Sequence, residues 1–202
     1  MTLPSCTSEA LAPSFFARPA EVVAPELIGC RLLKQEADGA LLWGVVVETE
    51  AYCQSEPACH GHRSRTKRNN TLFGPPGHWY VYLTYGIHHC VNCVTGSDDW
   101  ANGVLLRAVA LPDEPPRTAA GPGLLSRRFG IDGRFDGLPV SPRSGLWLAP
   151  PLAPPGALLQ SARVGIRQGL ALPWRWLLAG SPSLSKPVVP LPQGADRGAA
   201  DP

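Results

Sequence analysis

The stretch LLWGVVVETEAY, residues 41–52, constrains the fold more than any other part of the chain. Its first half, ending in three consecutive valines, reads as a buried β-strand, because branched side chains suit a pleated, half-buried surface. The run then ends in two carboxylates and a tyrosine. If the strand continues, alternation puts Glu48, Glu50 and Tyr52 on one face and Val47, Thr49 and Ala51 on the other. Ionised carboxylates beside a valine run are costly to bury unless paired or hydrogen-bonded. They must reach solvent at the strand end, meet cations, or line a pocket.

The flanking sequence supplies the rest of a sheet. Ser14 is a cap candidate, and Pro19 and Pro25 allow only short helices before LIGCRLL at 27–33, the first expected strand. ADGA at 37–40 turns the chain, so residues 30–52 read as a hairpin. HWYVYLTY (78–85) alternates as a strand, Gly86 offers a turn, and HHCVNCVT (88–95) follows. GVLLRAVAL (103–111) is a further strand, with Asn102-Gly103 as a turn signal. Residues 112–160 are rich in Pro, Gly and Arg with little periodicity. ARVGI (162–166) and PWRWLLAG (173–180) are expected late strands. The lead-in 1–13 and the segment 186–202 have the composition of disordered chain. This pattern predicts an α+β domain dominated by antiparallel strands.

Composition removes several function classes. A chain of 202 residues with 44% hydrophobic and 17% charged residues is globular and suits one domain. A formal net charge of +2 argues neither for nor against nucleic acid. Only three of the 18 basic residues are lysines. Arginine suits bidentate phosphate contact, but a GC-rich coding preference gives the same bias. No secretory pattern opens the chain and no apolar run could span a bilayer, so a cytoplasmic location without membrane partners is expected.

Six cysteines are too dilute for a disulfide scaffold in a chain this long. Cys90-Val-Asn-Cys93 invites a zinc reading, but cysteines three apart on a strand point to opposite faces, so buried thiols are the better account. No metal is expected. Nor does any phosphate-binding, dinucleotide-binding or nucleophile-elbow motif call for a cofactor.

Two segments could carry chemistry besides the end of the valine strand. HGHRSRTKRNN (60–70) places Arg63, Arg65, Lys67 and Arg68 within six positions, as a phosphate-contacting loop or a solvated one. YVYLTYG (80–86) puts Tyr80 and Tyr82 on one face, with Tyr85 before a glycine that lets the chain turn. Tyrosine-rich strands are usually half-buried sheet, but they also make base-stacking platforms. All four tyrosines of the chain fall in these two strands, flanking the basic loop.

Taken in order, ETEAY (48–52), PACH (57–60), RTKRN (65–69), LFGPPGHWYVYLTYG (72–86), CVN (90–92) and GVLLRA (103–108) closely resemble the alkyladenine (3-methyladenine) DNA glycosylase family. FFARPAEVVAPELIGCRLL, GPG (121–123) and ARVGI extend the resemblance over residues 14–185. It implies a monomeric α+β domain around a curved antiparallel sheet with short flanking helices. The implied activity is removal of alkylated or deaminated purines from double-stranded DNA without a cofactor. In a bacterium it would work at the nucleoid. By resemblance, Tyr85 is the wedge that fills the gap left by an extruded nucleotide, and Tyr52, His60 and Tyr82 sandwich the base. Glu50 activates the attacking water, which Arg107 and the main-chain carbonyl of Val164 help to hold. Asn92 sits at the pocket floor and disfavours normal guanine.

The chemistry fits these residues independently. An enzyme acting on a base must take it out of the stack, so it needs a wedge and an aromatic pocket. Glycosidic hydrolysis passes through an oxocarbenium-like state that a carboxylate can stabilise while deprotonating water. Spacing alone leaves Glu48 and Glu50 equivalent, and the resemblance selects Glu50. Glu48 is expected to pair with an arginine or cap a backbone group. With no lysine at a functional position, the expectation is a monofunctional hydrolase. Where the family usually reads T-P-R-N, this chain has Thr66-Lys67-Arg68-Asn69. Where the family has a lysine after GPG, it has Leu124. The alternatives are a non-catalytic nucleic-acid-binding module of the same fold and a small zinc protein.

Overall fold

The computed structural model describes residues 9–188. Of the two segments read as disordered, 1–8 and 189–202 lie outside the described residues. At the near ends of those segments the chain is tied down: Leu11 donates its amide to the Leu148 carbonyl, and the carbonyls of Lys186 and Pro187 accept from Arg175.

Among the described residues, eight strands form a single antiparallel sheet. They are β1 (Arg31–Gln35), β2 (Leu41–Cys53), β3 (Trp79–Thr84), β4 (His88–Val94), β5 (Asn102–Ala110), β6 (Leu146–Ala149), β7 (Leu158–Ser161) and β8 (Arg175–Leu178). The main path runs β3-β4-β5-β2-β1-β6. The long β2 holds the sheet together: one edge pairs with β5, and the other pairs first with β1 and then with β8. Three short helices among the described residues complete the α+β fold: α1 (Pro13–Phe16), α2 (Ala20–Glu26) and α3 (Pro122–Arg128). Proline at position 25 and the extended residue Pro19 keep α2 to two turns. Phe16, Val23 and Leu27 from this corner and Leu125 and Phe129 from α3 pack with Val46, Val104 and Leu106 of the sheet in the main core.

A double irregularity in β2 and β5 decides which way the carboxylates point. Val46 faces Val109, Glu48 faces Ala108 and Thr49 faces Leu106, which leaves Val47 and Arg107 without a partner on the opposite strand. A bulge of this kind re-aims side chains. Val46 and Ala51 both pack in the main core, although they differ in parity. Uninterrupted alternation from Val46 would have driven Glu48 and Glu50 into that core. The bulge sends them to the other face, while Thr49 turns inward and donates to the Ala24 carbonyl at 2.9 Å. Glu48, Glu50 and Tyr52 do share a face, as the spacing predicts.

Several expected elements differ. LIGCRLL is strand only from Arg31, because Leu27–Cys30 close the end of α2 with turn hydrogen bonds. Asn102-Gly103 is not a turn but the start of β5. Asn102 Oδ1 accepts from the Ala20 amide at 3.0 Å, which ties α2 to the sheet. A Cβ at position 103 would lie 2.9 Å from Leu72 and 3.1 Å from the Cys93 carbonyl, so glycine permits the close approach. ARVGI is not a strand: β7 ends at Ser161, and the segment that follows is irregular. Within the unperiodic stretch 112–160 lie α3 and β6, both too short for periodicity to reveal.

Candidate active site

On the face to which the bulge turns β2, a cleft of about 640 Å³ opens between β2, β3, β4 and the loops 57–68 and 164–168. Tyr52, His60, Tyr82, Asn92, Arg107 and Val164 all line it. The structure therefore gathers these sequence-predicted residues, which span more than half the chain, around one space. Its base is a small apolar cluster of Cys59, Leu72, Phe73, Tyr80, Val94 and Ala101, against which Tyr52 and Tyr82 pack.

Glu50 is fully buried and does not itself line the cleft. Its Oε1 accepts the Val164 amide at 2.6 Å. Its Oε2 accepts the Tyr52 hydroxyl at 2.8 Å and Arg107 Nη1 at 3.1 Å. The three groups that hold the carboxylate are thus the ones that face the cleft. For Val164 the contact seen is through its amide, not its carbonyl. Burial, with the Glu50 carboxylate adding to it, holds the Tyr52 phenol well above its ordinary range, so this hydroxyl stays a donor.

The aromatic lining is prearranged. Tyr80 and Tyr82 share a face of β3 with ring centroids 5.3 Å apart, and the His60 ring meets Tyr82 edge-on at 4.6 Å. His60 Nδ1 lies 3.0 Å from the Tyr80 hydroxyl. Burial, with Arg68 nearby, lowers the His60 pKa below 6.5 and favours the neutral ring at pH 7. Asn92 is held by its amide nitrogen, which donates to the Tyr80 carbonyl at 3.0 Å. Cys90 lines the cleft whereas Cys93 is in the main core, as alternation predicts for residues three apart. Among the described residues no cluster of three or more His, Cys, Asp or Glu could hold a metal ion.

Tyr85 sits at the tip of the β3–β4 turn and is 89% exposed. Both it and Gly86 have positive φ, at 50° and 68°, a conformation that costs a tyrosine and throws its ring outward. The basic loop borders this tip unevenly. Arg68 donates to the Leu83 carbonyl at 3.1 Å and lines the cleft. Arg65 is engaged by Asn70 and Asp99, at 2.8 and 2.7 Å. Arg63 and Lys67 are exposed and form no ion pair among the described residues.

Sequence reasoning missed four residues. Tyr80 was placed on the right face but not in the site. Arg163 stacks 4.7 Å from the Tyr52 ring and holds Glu56 through two bonds of 2.7 and 2.9 Å. Arg175 and Ser185 reach Glu48 from the far end of the chain. Only Tyr80 carried a local signal, its alternation with Tyr82. No described helix is long and apolar enough to cross a membrane.

Known proteins resemble this chain over most of its length. The family model for methylpurine-DNA glycosylases matches residues 14–182. Three curated relatives carry the name "Putative 3-methyladenine DNA glycosylase". That of Synechococcus elongatus is 47% identical over 84% of this chain and 87% of its own. One from another Synechococcus is 43% identical over 85% and 96%, and one from Trichodesmium erythraeum is 38% identical over 89% and 98%.

Proposed function

The chain belongs to the methylpurine-DNA glycosylase family, and from that premise we propose that its cleft receives a damaged purine rotated out of duplex DNA and hydrolyses the bond between that base and its sugar. DNA glycosylase activity, a hydrolysis of N-glycosyl bonds, comes with the family. The observation that carries the finer reading is the Glu50 carboxylate, fixed by three groups directly behind an aromatic cleft that an exposed Tyr85 overlooks.

Tyr85 enters the stack as the nucleotide leaves it, and the base slides between Tyr52 and the Tyr82–His60 wall. Unstacking costs a few kcal/mol, which the aromatic contacts offset. A purine made cationic by alkylation gains about 1–2 kcal/mol more on the tyrosine faces by cation–π attraction. Deaminated purines are neutral and gain nothing from it, so hydrogen bonds and the Asn92 contact must select them.

As the glycosidic bond stretches, positive charge grows on the sugar, and the Glu50 carboxylate stabilises it. Water adds to the anomeric carbon and yields its proton to Glu50, while the base departs with the bonding electrons. The Tyr52 hydroxyl donates to Glu50 Oε2. The water is held against Glu50 by Arg107 and the Val164 main chain. None of the lysines lines the cleft, which supports simple hydrolysis over a Schiff-base mechanism. Exposed Arg63 and Lys67, with Arg68 at the cleft edge, supply phosphate contacts. Arg65 keeps its place in the loop through Asp99. One chain holds every group the reaction needs, so a monomer acting on double-stranded DNA suffices.

The test is incubation with duplexes containing one hypoxanthine, one ethenoadenine or one 3-methyladenine analogue. The expected result is free base, an intact abasic strand and no adduct trapped by borohydride. A trapped adduct would overturn the monofunctional reading. Binding without release of any base would favour the non-catalytic binding module.

A further inference from the structure

Behind the cleft, and not lining it, lies a second carboxylate that the reaction does not touch. Glu48 is fully buried. Its Oε1 accepts Arg107 Nε at 2.8 Å, Arg175 Nε at 2.9 Å and the Ser185 hydroxyl at 2.7 Å, and its Oε2 accepts the Ser185 amide at 2.6 Å. Ser185 also accepts Arg107 Nη2 at 3.1 Å. Arg175 in turn donates to the carbonyls of Lys186 and Pro187, at 2.7 and 3.0 Å, and so fixes the strap that carries Ser185.

We propose that Glu48, with Ser185 as its second anchor, is a positioning residue that sets the Arg107 guanidinium against Glu50 and the attacking water. The inference rests on the reading of Glu50 and Arg107 given above. The geometry is that of a clamp on one side of a planar group. Of the five N–H donors of a guanidinium, one goes to Glu48, one to Ser185 and one to Glu50. The Nε edge is thereby turned away from the cleft and the plane of the fork is fixed. Two further donors remain on this guanidinium, and Arg107 lines the cleft.

The bulge explains why the clamp can exist. Arg107 is the unpaired residue of β5, so nothing in the strand ladder fixes its direction, and Glu48 begins the re-aimed segment of β2. Two arginines and two glutamates balance in charge within this buried set, and both carboxylates bond Arg107. Misplacing a reacting group by about 1 Å costs roughly 100-fold in rate, which is the scale a lost clamp can reach.

A double-mutant cycle on the full chain tests this, read by single-turnover release of whichever damaged base the wild type removes fastest. Glu48→Gln is expected to slow release roughly 10- to 100-fold. Affinity for a duplex holding a stable abasic-site analogue should change by less than about two-fold. Ser185→Ala should slow release by a smaller factor. In an Arg107→Met background, which is itself slow, Glu48→Gln should add almost nothing, because its effect runs through the missing side chain. Glu48→Asp should recover part of the loss. Multiplicative effects in the cycle, or a folded Glu48→Gln that releases base at the wild-type rate, would overturn the proposal. If Glu48→Gln does not fold, Ser185→Ala carries the test, and a wild-type release rate would overturn it equally. A wild type that releases no base overturns the glycosylase reading and this inference together.

Discussion

The wall behind the cleft and the rim in front of it are built on opposite physical principles. Behind the cleft, Glu48, Glu50, Arg107 and Arg175 are almost wholly buried, and each is held by partners from distant parts of the chain. At the rim, Tyr85 stands in solvent on a strained turn, and Arg63 and Lys67 have no ion-pair partner among the described residues. Taking ionised groups out of water is favourable only when their lone pairs and protons are satisfied, so the wall is either complete or costly. The rim has no such constraint, because solvent satisfies it until DNA arrives. Under the proposed function, the difference separates the chemical step, which needs fixed atoms, from the binding step, which needs groups free to adapt to a duplex.

Substitutions should respect this division. The largest loss of stability is expected from breaking a buried pair beside the wall. Arg163→Met strands Glu56, removes the bond to the Ala51 carbonyl and uncovers one face of Tyr52. Denaturant unfolding should show a loss of about 3–5 kcal/mol; a loss below about 1 kcal/mol would mean that this arginine is not structural.

Acid stability reports on the wall. Burial pushes the Glu48 carboxyl up, but the Arg107 guanidinium, Ser185 and Arg175 outweigh it and bring the group below 4.5. A carboxyl depressed in the folded state contributes stability that is present above its unfolded pKa and lost as pH falls through the folded value. Melting temperatures should therefore fall below about pH 4.5 in the wild type, and Glu48→Gln should show a shallower fall. Equal slopes would show that Glu48 does not titrate with folding.

Tyr85→Ala tests the rim from the other side. Stability should stay within about 0.5 kcal/mol, as for a surface site. Binding to a lesion-bearing duplex should weaken by about 1–3 kcal/mol, the value of an aromatic stacked on a base. Unchanged binding would remove the wedge role. The smallest effect is expected at the Arg65–Asp99 pair, where the aspartate side chain is 83% exposed. Asp99→Ala should cost no more than about 1 kcal/mol of stability. By freeing Arg65 for phosphates it should also strengthen binding to duplex DNA at low salt.

Much of this was legible in the chain, for identifiable reasons. Alternation placed Glu48, Glu50 and Tyr52 together, and the cost of burying carboxylates left solvent, cations or a pocket, of which Glu48 meets the cations Arg107 and Arg175. The same alternation separated Cys90 from Cys93. What could not be read was the bulge at Val47 and Arg107, because a single extra residue leaves no trace in hydrophobic periodicity. The helix α3 was equally hidden: Leu125 and Phe129, one helical turn apart, are too few to establish a period. Arg163, Arg175 and Ser185 carry no local signature. Their roles come from contacts across more than a hundred residues of sequence to Ala51, Glu48 and Glu56, and no neighbouring pattern encodes such a distance.

If the wall performs chemistry and the rim performs binding, Glu50 is where that division shows most directly. Glu50→Gln keeps the shape of the side chain, so it removes basicity with little change in volume. Single-turnover release of a damaged base and affinity for the same duplex, measured side by side, separate the two functions. Release is expected to fall roughly 100- to 10,000-fold while affinity is retained. Release at the wild-type rate would contradict it and place the catalytic carboxylate elsewhere. Loss of affinity together with release would show that wall and rim are not separable.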